Sequence, residues 1–272
     1  MIQVARDYLG ESLTRSQTIA PMPHICTKLA ELTSQPEIDQ GRLVHLIQSD
    51  PGVAGEIMRT ANSAALRPRS PIVSLQQAVT WLGVAEVRNL TLAAALHGEV
   101  FTAPGHEAAA NALWREAWLG ALWAKEVARL RRKHVESAFL AGLMHRAGAA
   151  LTLKLLAGLE RERRMALDAV EFSTLLLEFD SACGRLLMSN WCLPGDVQSA
   201  ACEWRTYQAS AQVELAATVH AAHLLAELGP DSPPAHTAAV LEDPVFMQLG
   251  VFPDERLAIL AQRDRVAQLA GI

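Results

Sequence analysis

The stretch Phe139-Leu140-Ala141-Gly142-Leu143-Met144-His145-Arg146-Ala147-Gly148 lies in the most apolar segment of this 272-residue chain and carries one histidine beside one arginine. Alanine and leucine dominate the rest of the chain, aromatic residues make up only 5%, and no segment alternates apolar and polar residues over a convincing strand length. Alanine and leucine lose the least free energy on entering a helix. The sequence therefore predicts an all-α protein, with a long central helix from about Glu136 to Ala157.

Signals for helix starts and ends extend this pattern in both directions. Asp50-Pro51 predicts an N-cap followed by proline at the first helical position, where its missing N–H costs nothing. Ser74 to Gln77 matches a capping box, and Gly83 predicts a left-handed end to that helix.

The helix patterns also predict a division of the chain. Further helices are expected at about 108–130, 164–171, 180–191, 209–228 and 254–269. We expect an N-terminal helical subdomain over residues 1–107, packed on a helical bundle over residues 108–230, and a C-terminal helical tail over residues 231–272.

Charge and composition exclude several classes of partner. A net charge of −5 argues against a dedicated nucleic-acid binder, because phosphate-backbone affinity comes from clustered Lys and Arg. The four cysteines follow no metal or disulfide spacing, which predicts a reducing compartment, the cytoplasm. We find no uninterrupted run of about 18 apolar residues, so no membrane span is expected.

The histidines do not by themselves predict a metal site. His220 and His223 are three residues apart and share a helix face, but no Glu or Cys stands at a matching ligand position. We expect one of them to be packed and the other exposed. His145 alone in an apolar helix is typical of a hydrogen-bonded core residue.

Several motifs in order, however, resemble the HDOD domain, a branch of the HD phosphohydrolase superfamily. The segment around His145 is similar to the "FLAGLLHDIG" helix of that superfamily, and the resemblance covers about residues 18–228. The other matching motifs are Pro21-Met22-Pro23, Ser49-Asp50-Pro51, Arg59-Thr60-Ala61-Asn62-Ser63, Pro71-Ile72, Ser74-Leu75, Leu82-Gly83, Val87-Arg88-Asn89-Leu90, Trp114, Phe179-Asp180 with Gly184, Trp191-Cys192-Leu193-Pro194 and Val219-His220-Ala221-Ala222.

The resemblance implies a pocket in which active HD enzymes gather histidines and aspartates around one or two metal ions. The histidine of the family's His-Asp doublet is present as His145. The aspartate of that doublet is replaced by Arg146, which has no lone pair for a metal. The remaining positions that the resemblance assigns to this vestigial HD pocket are Glu116, Asp180, Ser181, Trp204, Arg205 and His223.

We therefore expect no catalytic residue, no metal and no cofactor in this pocket. If Arg146 and Glu116 face each other, they form a charge-assisted pair in the space of the ions. An alternative is that His145, Arg146 and Arg205 bind a small anionic ligand carrying phosphate or carboxylate.

The resemblance implies a non-catalytic regulatory protein of a bacterial signalling pathway, acting through signalling partners or a small ligand. The alternative is a metal-dependent phosphohydrolase with a rearranged site, in which Glu116 and His223 act as ligands. A less favoured alternative is a DNA-binding regulator, because Ser74 to Leu96 has a helix-turn-helix pattern whose second helix offers Glu86, Arg88, Asn89 and Thr91 to solvent. An exposed tryptophan among the six would mark a partner surface.

Overall fold

The computed structural model describes residues 1–14, 21–33, 39–229 and 231–271. The described residues form helices and contain no strand, which confirms the all-α prediction. The predicted boundary at residue 230 lies outside the described residues. The chain divides into two compact units: the described residues of Met1–Ile19 with Val100–Val266, and those of Ala20–Glu99 with Ala267–Ile272. We call them the bundle unit and the N-terminal unit, and the predicted domain boundaries stay a prediction.

The N-terminal unit is built from short helices whose ends follow the predicted caps. Its helices are α2 (His24–Thr33), α3 (Gln40–Gln48), α4 (Pro51–Ala61), α5 (Leu75–Leu82) and α6 (Val84–Val100). Asp50 Oδ1 accepts the backbone N–H groups of Gly52 and Val53, which confirms its role as N-cap. Gly83 ends α5 with the expected positive φ, 80°, but its ψ of 158° lies outside the predicted left-handed helical conformation.

The capping box of α5 is only half formed as predicted. Ser74 Oγ accepts the backbone N–H of Gln77, but the Gln77 side chain accepts the N–H of Val73 instead of that of Ser74. Asn62 holds the loop before this helix, since its amide bonds both the N–H and the C=O of Ile72.

The bundle unit contains the long helices. Its elements are α1 (Ile2–Thr14), α7 (Glu107–Leu130), α8 (Val135–Met144), α9 (Ala147–Arg163), α10 (Ala169–Asn190), α11 (Gly195–Glu203), a 3₁₀ turn (Trp204–Ala209), α12 (Val213–Ala226), α13 (Pro234–Leu241), α14 (Pro244–Gln248), α15 (Pro253–Leu260) and α16 (Arg263–Ala270), of which the last continues past the unit boundary. Helix α7 packs against α8 and α12, and α9 packs against α10. Trp123, Phe139, Leu143 and Met144 are fully buried between them.

Pairs of glycines let these helices approach closely. A Cβ on Gly142 of α8 would lie 2.7 Å from the Gly120 carbonyl oxygen of α7. A Cβ on Gly148 of α9 would collide with the backbone of Asp180 in α10, where Gly184 is also in contact. The missing side chains at Gly142 and Gly148 bring α7, α8, α9 and α10 together around His145 and Asp180.

The predicted central helix from Glu136 to Ala157 is wrong, because the chain breaks at His145 and Arg146. The Gly142 carbonyl would accept the N–H of Arg146 in a continuous helix, but it accepts the Nδ1–H of His145 at 2.6 Å. Arg146 then begins α9 from a non-helical φ of −111°. Because of this break, the His145 and Arg146 side chains both point into the same site.

Three other predicted helices are also wrong in their bounds. Arg164 ends α9 in the left-handed conformation, and Asp168 caps α10 together with Glu171, so a single helix, Ala169–Asn190, replaces the two expected at 164–171 and 180–191. The helix expected at 254–269 divides into α15 and α16, where Gln262 N–H bonds the C=O of Ile259.

The C-terminal tail packs on the bundle unit through its first short helices. Helix α14 contacts α12, and α15 contacts α7. Val245, Phe246, Leu249 and Val251 are buried there, and the Arg256 guanidinium donates to the carbonyls of Val251 and Leu241. The tail up to α15 therefore contributes to the core of the bundle unit.

Only one stretch of the described residues, Val135–Arg163, is long and apolar enough to cross a membrane by length and composition. Of its most apolar window, 78% is buried inside the fold. The break at His145 leaves α8 with 10 residues and α9 with 17, each shorter than the roughly 20 residues that a typical span needs. Burial of this kind is typical of a core helix.

Candidate functional site

Most of the predicted pocket residues meet in the bundle unit around a cavity of about 490 Å³. Helix α7 supplies Glu116, the break between α8 and α9 supplies Arg146, the 3₁₀ turn supplies Trp204 and Arg205, and α12 supplies His223. His145 and Asp180 lie directly behind this wall, in contact with His223 and with the two arginines. The structure thus brings seven of the eight predicted residues together.

Arg146 lies between two carboxylates from different helices. Its Nε is 2.7 Å from Glu116 Oε2, and its Nη1 is 3.4 Å from Asp180 Oδ2. The Nε–H is not aimed at the Glu116 oxygen, so that contact is an ion pair without a hydrogen bond, and the Nε has no acceptor among the described residues. The predicted pair between Arg146 and Glu116 is present.

Asp180 receives a second arginine. Arg205 Nη1 donates to Asp180 Oδ2 at 2.6 Å, and the Arg205 guanidinium lies 4.2 Å from the centre of the Trp204 ring. The Asp180 side chain is almost completely buried. A buried carboxylate of this kind is tolerated when it is paired, and here two guanidinium groups share it.

His145 and His223 form a hydrogen-bonded pair with assigned tautomers. His145 Nδ1 donates to the Gly142 carbonyl, so its Nε2 is the acceptor in the neutral ring. His223 Nδ1 lies 3.2 Å from that Nε2 and is therefore the donor. The remaining nitrogen, His223 Nε2, carries a lone pair and lies 3.6 Å from Glu227 Oε1.

Burial and the neighbouring arginines keep both rings neutral. Burial lowers the pKa of His145 well below its usual value, and His223 and Arg146 lower it further. Burial lowers the pKa of His223 to about 4, with Arg146 and Arg205 as the next causes. Both histidines are uncharged at neutral pH.

A metal ion of the HD type does not fit this arrangement. Both ring nitrogens of His145 are already engaged, and the Arg146 guanidinium lies where a metal bridging Glu116 and Asp180 would be expected. A guanidinium is always charged and has no lone pair to offer. Among the residues that the structure describes, no three or more His, Cys, Asp or Glu side chains are grouped as metal ligands.

Two predicted positions differ from expectation. Ser181 does not line the cavity, because its side chain turns to Cys202 on α11 and hydrogen-bonds the thiol. His220 and His223 are both half-buried, so the expected division into one packed and one exposed ring is wrong. The Trp204 carbonyl accepts a hydrogen bond from His220 Nδ1, which explains the partial burial of His220.

The cavity also includes residues that the sequence did not single out. Arg115, Leu119, Ala226 and Glu227 complete its wall. Arg115 directly precedes Glu116, and Glu227 follows His223 by four residues, one helical turn later. Helical spacing from His223 was an available signal for Glu227, whereas Arg115, which adjoins Glu116, had no such signal.

The second helix of the helix-turn-helix pattern, α6, differs from expectation at one of its four polar residues. Thr91, predicted to face solvent, is completely buried and donates to the Val87 carbonyl. Trp81, in contrast, is 50% exposed at the edge of a groove of about 460 Å³ that includes Pro68, Arg69 and Ile72.

Comparison with known proteins places the chain in a family. The sequence profile of the HDOD domain matches residues 19–206, more than half of the chain. No curated protein sequence matches the chain.

Solved structures of the same fold cover nearly the whole chain. A proposed metal-dependent phosphohydrolase from Shewanella amazonensis SB2B is 18% identical, with a TM-score of 0.75 and 98% of each chain covered. An HDOD domain protein of unknown function from Geobacter sulfurreducens is 18% identical, with a TM-score of 0.70 over 99% of this chain and 96% of the other. A proposed signal transduction protein from Marinobacter aquaeolei VT8 is 21% identical, with a TM-score of 0.66 over 99% of this chain and 66% of the other. At these identities the structures show a shared fold, and the sequence profile shows that this chain belongs to the HDOD domain family.

Proposed function

We propose that this protein is a non-catalytic regulatory component of a signalling pathway, acting through a protein partner or a small ligand. The observation that carries the proposal is the Arg146 guanidinium between Glu116 and Asp180, at the position where an HD enzyme needs a carboxylate and a metal ion. A fixed positive charge at this point repels a divalent cation.

The neutral histidine pair supports the same proposal. His145 is held by the Gly142 carbonyl and by His223, so its ring has a structural role in the break between α8 and α9. In a general acid or base, a ring nitrogen must be free to reach a substrate proton. His145 has no such nitrogen.

A partner surface is available in the N-terminal unit. Tryptophan is enriched at binding hot spots, and Trp81 is half exposed beside the groove of Pro68, Arg69 and Ile72. In affinity capture, the intact chain should retain a specific partner that the Trp81→Ala variant does not retain. Val170→Ala on α10 is the matched control, because Val170 is also an exposed apolar residue but lies in the bundle unit.

The alternative is a metal-dependent phosphohydrolase with a rearranged site, which the phosphohydrolase names of two Shewanella amazonensis neighbours support. An assay for hydrolysis of nucleotides and cyclic dinucleotides, with Mn²⁺, Mg²⁺ or Fe²⁺ added, separates the two. We expect no turnover above that of His145→Ala. Turnover that needs the cation and disappears in His145→Ala would establish the enzyme and reject the regulatory proposal.

A further inference from the structure

The cavity beside Arg146 is rich in arginine: three guanidinium groups and three carboxylates, those of Glu116, Asp180 and Glu227, lie at or directly behind its wall. Arg115, Arg146 and Arg205 all line it. Arg115 is exposed and has no hydrogen bond or ion pair within the described part of the chain. Arg205 is 36% exposed and uses one of its five N–H donors, on Asp180, whereas the Arg146 Nε is buried beside Glu116 and cannot reach a ligand.

The carboxylates at the cavity do not cancel this charge equally. Asp180 lies behind the wall and is already shared by Arg146 and Arg205. Glu116 and Glu227 are 42% and 49% exposed, so water and salt screen their repulsion of an incoming anion. His223 is neutral and adds no charge of its own.

The shape of the cavity indicates a ligand larger than a simple ion. Its volume of about 490 Å³ is within the range of small-molecule sites, roughly 300–1,000 Å³. Leu119 and Ala226 give the wall an apolar part, and the arginines add forked N–H donors suited to phosphate oxygens.

We propose that this cavity binds a small phosphorylated molecule, whose phosphate is held by Arg115, Arg146 and Arg205. The inference rests on the proposed function, for which it names the class of ligand. His223 responds to such a ligand, because a phosphate near Arg146 and Arg205 offsets the positive charge that helps to lower the pKa of this histidine. A protonated His223 can then donate its Nε2–H to the ligand.

The test is isothermal titration calorimetry of the full chain in excess EDTA. AMP, inorganic phosphate and adenosine are each titrated separately. AMP carries a phosphate on a nucleoside, and adenosine is the same nucleoside without the phosphate. We expect AMP to bind, phosphate to bind more weakly and adenosine not to bind. Absence of binding by both AMP and phosphate, or equal binding of AMP and adenosine, overturns the inference.

Variants assign the binding to the cavity. Arg115→Ala should weaken AMP binding by roughly 10- to 100-fold, the usual loss of a hydrogen bond to a charged group, without disturbing a native contact. Glu227→Gln should tighten binding, because it removes a repelling carboxylate. Arg161→Ala is the matched control, an exposed arginine about 22 Å along α9 from Arg146. Equal weakening by Arg115→Ala and Arg161→Ala would show general charge attraction and reject the site.

The outcomes separate this inference from the proposed function. Hydrolysis of AMP, or binding that is lost in EDTA and restored by a metal ion, rejects the non-catalytic proposal together with the inference. If AMP and phosphate do not bind in EDTA and AMP is not hydrolysed when a metal ion is added, only the proposed ligand class is rejected.

Discussion

At the scale of single residues, Arg146 is the side chain on which the site depends. It holds Glu116 and Asp180 from two helices and is itself largely buried. Arg146→Ala should lower the free energy of unfolding by roughly 3 kcal/mol, near the lower end of the range for a broken buried pair, since Asp180 keeps Arg205. Urea denaturation measures this loss, with Arg161→Ala as an exposed control. Equal stability of the Arg146 and Arg161 variants would contradict the account.

The buried histidines make a second residue-scale prediction. The pKa of His223 is lowered from 6.5 to about 4 in the folded chain, so between these values the unfolded chain binds a proton that the folded chain does not. Stability should therefore fall as the pH falls from about 6.5 to about 4, by about 2 kcal/mol at pH 5 from this group alone.

Urea denaturation at pH 7 and pH 5 checks this dependence on His223. His223→Gln keeps a donor for His145 but does not titrate, so it should show a smaller loss on acidification. His145 contributes in the same direction because its pKa is also lowered. An unchanged pH dependence in His223→Gln would show that the loss has another origin.

At the scale of elements, the close crossing of α9 and α10 positions Asp180. A Cβ on Gly148 would collide with the Asp180 backbone, and neither helix can yield without moving the site. Gly148→Ala should cost at least about 3 kcal/mol of stability. Gly158→Ala in the same helix has open space around its Cβ and should stabilise by about 0.5–1 kcal/mol. Thermal denaturation of both variants distinguishes the crossing from ordinary helix propensity.

The caps of the elements were predictable from sequence, but their breaks were not. Asp50-Pro51 and Gly83 act locally, so the residue types alone indicated the N-cap and the positive φ. The break at His145 depends on a side chain that takes the Gly142 carbonyl and on contacts with His223, which is 78 residues away. Apolar periodicity continues smoothly through this break and gives no sign of it.

At the scale of the whole molecule, the chain beyond the match to the HDOD domain belongs to the bundle core. The match ends at residue 206, yet α12 and α14 lie beyond it and pack together. Phe246→Ala should lower stability by about 3–5 kcal/mol, because its ring is completely buried. Phe252→Ala, at 61% exposure, should change stability by no more than about 0.5 kcal/mol. Similar losses from both variants would mean that the tail does not pack as described.

Sequence motifs located the site better than they described its wall. Glu116, His145, Arg146, Asp180, Trp204, Arg205 and His223 were chosen from motif order, and they meet in space. Ser181 was predicted but lies one residue after Asp180 on α10 and does not line the cavity. Arg115 and Glu227 line the cavity but were missed, because they match no motif. Which face of α7, α10 or α12 borders a cavity depends on helix packing, which the motifs do not specify.

We propose that the Arg146 guanidinium takes the place of a metal ion between Glu116 and Asp180. Elemental analysis of the full chain, after incubation with Mn²⁺, Fe²⁺, Ni²⁺ and Zn²⁺ and removal of unbound ions, tests it most directly. We expect far less than one equivalent of any metal, and no difference between the intact chain and His145→Ala. One equivalent of metal in the intact chain, lost in His145→Ala, would contradict it.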